Sequence, residues 1–186
     1  MTPAHTVRII GGRCKRSRLP VLDSPGLRPT PDRVRVTLFN WLGIDLSGCR
    51  CLDAFAGTGS LGFEAASRGA AEVVMLETQS QVFQSLKHTR QKLALSEVQV
   101  FQEDALTYMS RVACHSFEVV FLDPPFAATD LRQRAVQAAT RVLVPGGLIY
   151  LESPEVSTSL NLPQELLLHR QARAGSVHFE LRRRAD

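Results

Sequence analysis

The chain has 186 residues, of which 44% are hydrophobic and 22% charged, proportions that fit one ordinary globular domain. No segment approaches about 18 consecutive apolar residues, and no apolar core follows the amino-terminal basic residues, so we expect neither a transmembrane helix nor a signal peptide. The four cysteines form no CxxC pair and the five histidines show no metal-binding spacing, which predicts free thiols, a cytoplasmic location and no metal site.

The positive charge is concentrated at the amino terminus. Eight of the 22 basic residues lie in the first 35 positions, where there are only two acids. A cationic segment on a nearly neutral body is typical of binding to a polyanion, and we favour nucleic acid over a merely solvated surface. The candidate contacts are Arg8, Arg13, Lys15, Arg16, Arg18, Arg28, Arg33 and Arg35.

The amino-terminal region differs from the rest of the chain. Residues 6–21 predict a short β-hairpin that turns around the two glycines and the basic run. Thr30, Pro31 and Asp32 then resemble a helix start, and apolar residues follow at helical spacing as far as Leu42. We therefore predict a basic, nucleic-acid-facing hairpin extension over residues 1–27 and a larger domain over residues 28–186.

From residue 49 onward, predicted strands and helices alternate. The strands are 49–55, 71–77, 98–104, 117–123 and 147–153, and the helices are 60–69, 80–95, 105–112 and 130–143. Residues 165–171 and 176–184 predict two further strands. The first five strands are apolar on both faces, which indicates a parallel sheet covered by helices on each side. We therefore predict a doubly wound, Rossmann-like α/β fold with a mostly parallel seven-stranded sheet.

A glycine-rich turn lies between the first of these strands and its helix. The stretch LDAFAGTGSLGFEA contains Gly57-x-Gly59-x-x-Gly62, and such glycines permit a tight turn and the close approach of a ligand. Glu77 follows Gly57 by about 20 residues, at the end of the next strand, where a carboxylate can accept hydrogen bonds from both ribose hydroxyls. This pattern fits NAD-like dinucleotides and S-adenosylmethionine.

Acidic residues help to distinguish these two cofactors. Asp53 precedes Gly57 at the mouth of the strand, where it would repel a pyrophosphate but attract the ammonium and sulfonium groups of S-adenosylmethionine. Asp104 ends the third strand, and two compatible interpretations apply to it: an acceptor for an adenine amine, or the N-cap of the helix at 105–112. We therefore expect S-adenosylmethionine.

The stretch Asp123-Pro124-Pro125-Phe126 ends the fourth strand on the same rim as the glycine turn. The prolines hold Asp123 extended and donate no hydrogen bonds, which leaves a rigid pair of acceptors, the carboxylate and the Pro124 carbonyl. Together with the Phe126 ring, these acceptors suit a planar base with an exocyclic amine, because they can orient the amine and stabilise the charge that it gains on attacking a methyl group. The simpler interpretation is that the prolines only stop the strand.

Four segments, RIIGGR, GLRPTPDRVRVTLFNWL, CLDAFAGTGSLGFEAASRGA and FLDPPF, together resemble the RsmD family of bacterial guanine-N2 methyltransferases, which act on 16S ribosomal RNA. The resemblance covers about Arg8 to Phe126 and implies a class I S-adenosylmethionine-dependent methyltransferase fold. Two positions depart from the family pattern: Cys14 replaces an expected aromatic residue, and Val36 replaces an expected glutamate. Both lie in the region expected to face RNA.

The resemblance also implies functions for individual residues. Asp123, Pro124, Pro125 and Phe126 would receive the guanine, and the basic hairpin with residues 28–35 would contact the RNA. The substrate would be 16S RNA within the small ribosomal subunit or its assembly intermediate, where contacts with ribosomal proteins are compatible with a monomeric enzyme. The implied cofactor-binding residues are Asp53, Phe55, Ala56, Gly57, Gly59, Glu77, Asp104 and Ala105.

Three alternative functions stay open. Methylation of adenine N6 in DNA or RNA would use the same corner, although Asp123 can accept from both N1–H and N2–H of guanine, whereas adenine N1 presents a lone pair. An NAD-linked oxidoreductase would lack a YxxxK proton relay and would give the Asp123–Phe126 corner no function. A non-catalytic RNA-binding protein would keep the fold with a vestigial cofactor site.

Overall fold

The computed structural model describes residues 6–22, 30–124, 129–153, 160–175 and 177–186. In these ranges the helices are α1 Asp32–Leu42, α2 Gly62–Ser67, α3 Ser80–Lys92, α4 Ala105–Arg111 and α5 Thr129–Val142. The strands are β1 Thr6–Arg8, β2 Arg18–Pro20, β3 Arg50–Asp53, β4 Glu72–Leu76, β5 Val98–Phe101, β6 Phe117–Leu122, β7 Leu143–Ser153, β8 Leu166–Ala174 and β9 Val177–Arg184. Among these residues, no helix has the length and apolar character needed to cross a membrane.

Seven strands form one sheet in the order β5-β4-β3-β6-β7-β9-β8. The strands from β5 to β7 are parallel, and β9 runs antiparallel to both of its neighbours. This arrangement confirms the predicted doubly wound, mostly parallel sheet. The chain winds outward from β3 to β5 and then returns to place β6 beside β3, so the carboxyl ends of β3 and β6 form the topological switch point at which such sheets bind ligands.

Helices cover the sheet on both sides, and successive residues of the central strands contribute to opposite cores. Cys51 and Phe121 belong to the core that also contains apolar residues of α1, α2 and α3. Leu52 and Val120 belong to the other core, which α4 and α5 complete. Burial on both faces explains why these strands are continuous apolar runs in the sequence and not alternating ones.

The predicted hairpin is present as a separate antiparallel pair, in which Val7 of β1 lies opposite Leu19 of β2. Both side chains and that of Ile9 are buried in the core shared with α1 and α2. The hairpin is therefore packed firmly against the helical layer on one side of the sheet.

One boundary departs from its prediction. The sequence predicts a helix over residues 130–143 and a strand that starts only at residue 147, but β7 already begins at Leu143. The pairing with β6 shifts register over this segment, and Gly146 adopts a φ of 71°, which glycine tolerates best. Gly146 and Gly147 thus lie within β7, where they allow an irregular stretch of strand, and they do not form a loop between the helix and the strand.

Candidate active site

The parallel strands bring the candidate acids to one rim of the sheet. Asp53 ends β3 and lies opposite Phe121 of β6, and the Ala54 N–H donates to the Phe121 carbonyl at 3.1 Å. Asp123 follows two residues after Phe121, directly beyond the end of β6. The glycine turn after β3 and the Asp123-Pro124 corner are therefore immediate neighbours at the switch point, as the sequence predicted.

The glycine turn requires its glycines. Gly57 and Gly59 have φ angles of 50° and 75°, in the left-handed region that favours glycine. A Cβ atom on Gly59 would lie 2.6 Å from the ring of Phe63, a contact that no side chain could accept without displacement. The turn between β3 and α2 thus has no side chains at Gly57 and Gly59, so only backbone atoms are present at these two positions.

Asp53 has a backbone partner that the sequence did not reveal. Its side chain is buried, and Oδ2 accepts a hydrogen bond from the Gly62 N–H at 2.9 Å. Burial raises the pKa of Asp53 to about 7, and the negative charge of Glu77 adds to this effect, while backbone hydrogen bonds from Gly62 and Phe55 oppose it. Asp53 therefore ties the first turn of α2 to the end of β3.

Glu77 extends the same rim from the end of β4. Its Oε2 accepts from the Gly57 N–H at 3.2 Å and its Oε1 accepts from the Gln79 N–H at 2.8 Å, which fixes the half-buried carboxylate beside the glycine turn. A carboxylate has about four lone-pair sites, so these two bonds leave capacity for further donors.

Asp104 caps α4, as one of its two interpretations predicted. Its Oδ1 accepts from the Thr107 N–H at 2.8 Å and lies 3.0 Å from the Thr107 hydroxyl, while the side chain is exposed. Around the rim, Ala56 and Ala105 are buried and Phe55 is half-buried. Phe55 and Ala56 follow the carboxyl end of β3, and Asp104 and Ala105 follow that of β5.

Asp123 and Pro124 lie at the end of β6, whereas Pro125 and Phe126 fall outside the described residues. The Asp123 carboxyl interacts with the Thr30 side chain, and the negative charges of Glu152 and Asp53 act on it electrostatically. Desolvation, followed by these two charges, raises the pKa of Asp123 well above its usual value. The half-buried acid at this corner thus borders a cluster of buried polar side chains.

Sequence reasoning missed three members of that cluster: Thr30, Tyr150 and Glu152. All three are buried, and the Tyr150 hydroxyl donates to Glu152 Oε1 at 2.6 Å. Glu152 also forms a hydrogen bond with the Thr30 side chain, and burial raises its pKa. An acid at the carboxyl end of the strand IYLES is the same signal that identified Asp53 and Asp123, so Glu152 could have been found, whereas nothing in the sequence marks Thr30 beyond its helix-start position.

The predicted RNA contacts divide into several groups. Arg8, Lys15, Arg16, Arg18 and Arg33 are exposed, and Arg28 falls outside the described residues. Arg13 pairs with Glu97, although 56% of its side chain is exposed.

The prediction that Arg35 contacts RNA is wrong. Its side chain is fully buried, with Nη2 2.6 Å from Asp32 Oδ1 and Nη1 3.9 Å from Glu64 Oε2. Glu64, also fully buried, accepts hydrogen bonds from the Ile10 and Gly11 N–H groups at 2.7 and 2.8 Å. Arg35 thus belongs to the ionic cluster that fastens the hairpin to α2, and a partner cannot reach it.

The sheet order, its one antiparallel strand and the glycine turn at the switch point define a class I methyltransferase fold. Solved structures agree: the Escherichia coli protein YhhF is 37% identical, with a TM-score of 0.87 over 97% of this chain and 99% of that one. A Haemophilus influenzae structure is 35% identical, with a TM-score of 0.82 over 98% of this chain and all of the other.

The family follows from the sequence comparisons. The family model described as "Conserved hypothetical protein 95" matches residues 7–183, and the chain belongs to this family. Two similar relatives are named Ribosomal RNA small subunit methyltransferase D. The one from Escherichia coli K12 is 40% identical over 96% of this chain and 90% of its own length, and the one from Haemophilus influenzae is 42% identical over 94% and 92%. The resemblance to the RsmD family is thereby confirmed.

Proposed function

We propose that this protein transfers a methyl group from S-adenosylmethionine to the exocyclic N2 amine of a guanine in the 16S RNA of the small ribosomal subunit. The observation that carries the proposal is the adjacency of the Asp123-Pro124 corner and the glycine turn at the switch point of a methyltransferase fold. The names of the relatives point to the same class of substrate. A ribosomal substrate implies a cytoplasmic enzyme, and the proposal includes a monomeric state and contacts with ribosomal proteins.

The rim fits the proposed cofactor. Glu77 has free acceptor capacity where a ribose would lie, the bare backbone of Gly57 and Gly59 allows close approach, and exposed Asp104 can accept from an adenine amine while it caps α4. Asp53, Phe55, Ala56 and Ala105 complete the proposed binding surface. When bound, S-adenosylmethionine supplies a methyl group made electrophilic by the adjacent sulfonium.

The Asp123-Pro124 corner would orient the acceptor amine. The Asp123 carboxylate and the Pro124 carbonyl accept its hydrogens, aim the nitrogen lone pair and stabilise the positive charge that develops on it. The resemblance to the family assigns Pro125 and Phe126 to the same corner, where Phe126 would offer a ring for base stacking. Asp123 can accept two hydrogens from the edge of guanine, N1–H and N2–H, which favours guanine over adenine. The exposed arginines and lysine of the hairpin and α1 would bind phosphates.

The proposal is tested by methylation of naked 16S RNA and of small subunits from a strain that lacks the enzyme, followed by mass spectrometry of the nucleosides. We expect N2-methylguanosine. Asp123→Ala should lower the rate by about 10²-fold or more while RNA binding persists, because a positioning group of this kind contributes about that much. Asp130→Ala removes an exposed acid near the start of α5 and serves as the control. N6-methyladenosine, or full activity of Asp123→Ala, would overturn the proposal.

A further inference from the structure

The connection between β8 and β9 lies at the same rim of the sheet as the Asp123-Pro124 corner. Because β9 runs antiparallel to β7, its first residues are level with the end of β7, and His178 lies opposite Ser153. Arg173 of β8 in turn lies opposite His178. Directly opposed residues of a sheet point to the same face, so these three residues form one row across the outer half of the rim.

The register also gives the distance of this row from the corner. Leu122 of β6 pairs with Leu151 of β7, so the residues that follow them, Asp123-Pro124 and Glu152-Ser153, reach the rim together. Three strand spacings of about 4.8 Å separate β6 from β8, which places Arg173 roughly 14 Å from the corner. A stacked strand of nucleic acid advances about 3.4 Å per nucleotide, so Arg173 is within about four nucleotides of a base held at the corner.

The two outer strands are basic. Residues 166–184 include five arginines and a single acid, Glu180. Glu180 is buried and pairs with Arg182 at 2.8 Å, so its charge is compensated within its own strand. Three of the other arginines are exposed: Arg170, Arg173 and Arg183. The outer part of the sheet therefore presents positive charge to solvent.

The opposite half of the rim carries acids. Half-buried Glu77 follows β4 and exposed Asp104 follows β5, on the side of the corner where the cofactor is proposed to bind. These carboxylates repel RNA phosphates, whereas the exposed arginines of the outer strands attract them. The charge distribution along the rim thus favours an RNA strand that leaves the corner toward β8 and β9.

The Arg173 guanidinium is held in place at this connection. Its Nε donates to the Gly175 carbonyl at 2.8 Å, which uses one of its five N–H groups. A Cβ atom built on Gly175 would meet no atom of the described residues within 4 Å, so the connection borders open space. Arg173 therefore offers an oriented positive charge at an open position of the rim.

We propose that the β8–β9 connection is a second RNA-binding surface, in which Arg173 holds a phosphate of a nucleotide close to the target guanine. This inference rests on the proposed function. Arg170 precedes Arg173 by three residues and lies about 10 Å further from the rim. Arg183 pairs with Leu148, five residues before the end of β7, and lies about 17 Å from the rim. The contribution of the three exposed arginines to RNA binding should therefore fall in the order Arg173, Arg170, Arg183.

Steady-state methyl transfer tests this order. The substrate is the shortest 16S fragment that the wild type methylates, or the small subunit if the wild type methylates no naked RNA. Arg173→Gln removes the charge but keeps a donor for the Gly175 carbonyl, and it should raise the KM for RNA about fivefold, the upper end for an exposed ion pair. The kcat should stay unchanged, because Arg173 does not touch the reacting atoms. The salt dependence of RNA binding should lose nearly one unit of slope.

Two variants of the same type provide matched comparisons. Arg170→Gln should have a smaller effect than Arg173→Gln, and Arg183→Gln, at the far end of the same strand pair, should behave as the wild type. Arg173→Lys keeps the charge and should restore most of the affinity for RNA. Thermal unfolding and the affinity for S-adenosylmethionine, measured by calorimetry, should be the same in all four variants and the wild type.

The outcomes separate this inference from the proposed function. A wild-type KM and salt slope in Arg173→Gln, or an equal loss in Arg183→Gln, would reject the second RNA-binding surface while methylation of guanine by the wild type still stood. Absence of methylated guanosine with the wild type would instead reject the proposed function.

Discussion

The Asp53 carboxyl is almost completely buried, and it accepts the Gly62 N–H at the start of α2. Burial opposes ionisation here more strongly than the backbone hydrogen bonds favour it, so the pKa rises from 3.8 to about 7. Near neutral pH this residue therefore exists as a mixture of the neutral and charged forms. The glycine turn that it holds is the part of the rim proposed to contact the cofactor.

The raised pKa of Asp53 predicts a pH-dependent stability. Between the ordinary pKa of 3.8 and the folded value of about 7, the folded state binds more protons than the unfolded state, so this carboxyl's contribution is fully present at low pH and is lost as pH rises through 7. Urea unfolding of the wild type and of Asp53→Asn from pH 4 to pH 8 measures this. We expect the wild type to lose a few kcal/mol relative to the variant over that range. A constant difference would mean that Asp53 ionises normally.

At the scale of elements, the short helix α2 has two functions. Its first residue, Gly62, bonds to Asp53 at the rim, and its later residues hold the hairpin. Glu64 accepts the Ile10 and Gly11 N–H groups, and Ser67 Oγ accepts the Cys14 N–H at 2.9 Å while it donates to the Gly11 carbonyl at 2.6 Å. Cys14, a departure from the family pattern, thus contributes its backbone to this contact.

Two glutamates bind the hairpin in different environments, which predicts different costs for removing their charge. Glu64→Gln turns one acceptor oxygen into a donor that faces backbone N–H groups, and it leaves the buried Arg35 and Arg68 without their shared partner. We expect a loss of about 3–5 kcal/mol in the free energy of unfolding. Glu97→Gln breaks only the pair with half-exposed Arg13 and should cost less than about 1 kcal/mol. Equal costs, measured by denaturant unfolding, would contradict this account.

The sequence predicted those elements that depend on local pattern, and it failed where distant residues meet. Apolar runs and the glycines between them predicted the order of strands and helices. That order predicted that Asp53, Glu77 and Asp123 lie at one rim of the sheet. The helix predicted over residues 60–69 begins only at Gly62, with Leu61 at its N-cap position, so Ser60 does not cap it. Arg35 looked like a surface cation because its buried partner Glu64 lies in a different helix.

At the scale of the whole molecule, the tip of the basic hairpin lies far from the proposed catalytic rim. The Arg13 N–H donates to the carbonyl of Ser67, the last residue of α2, and the Arg13 side chain pairs with Glu97, just before β5. Both contacts are at the amino edge of the sheet, whereas the site is at the carboxyl edge. Strands of four to six residues separate the two edges by roughly 13–20 Å. Exposed Arg33, in contrast, is three residues beyond Thr30 of the buried polar cluster at the rim.

This geometry predicts that the basic residues serve different parts of the substrate. A short 16S fragment bound at the rim would reach Arg33 but not the hairpin tip, whereas a small subunit could contact both. Arg33→Ala should therefore raise the KM for both substrates, and the double variant Lys15→Ala with Arg16→Ala should raise it only for the subunit. The salt dependence of subunit binding should flatten in the double variant, because each lost phosphate contact removes nearly one unit of slope. Lys92→Ala, which changes an exposed lysine outside the basic segment, is the control.

If the double variant weakened binding of the short fragment as much as Arg33→Ala does, the hairpin tip would have to lie close to the target base, and this assignment of the two edges would be wrong.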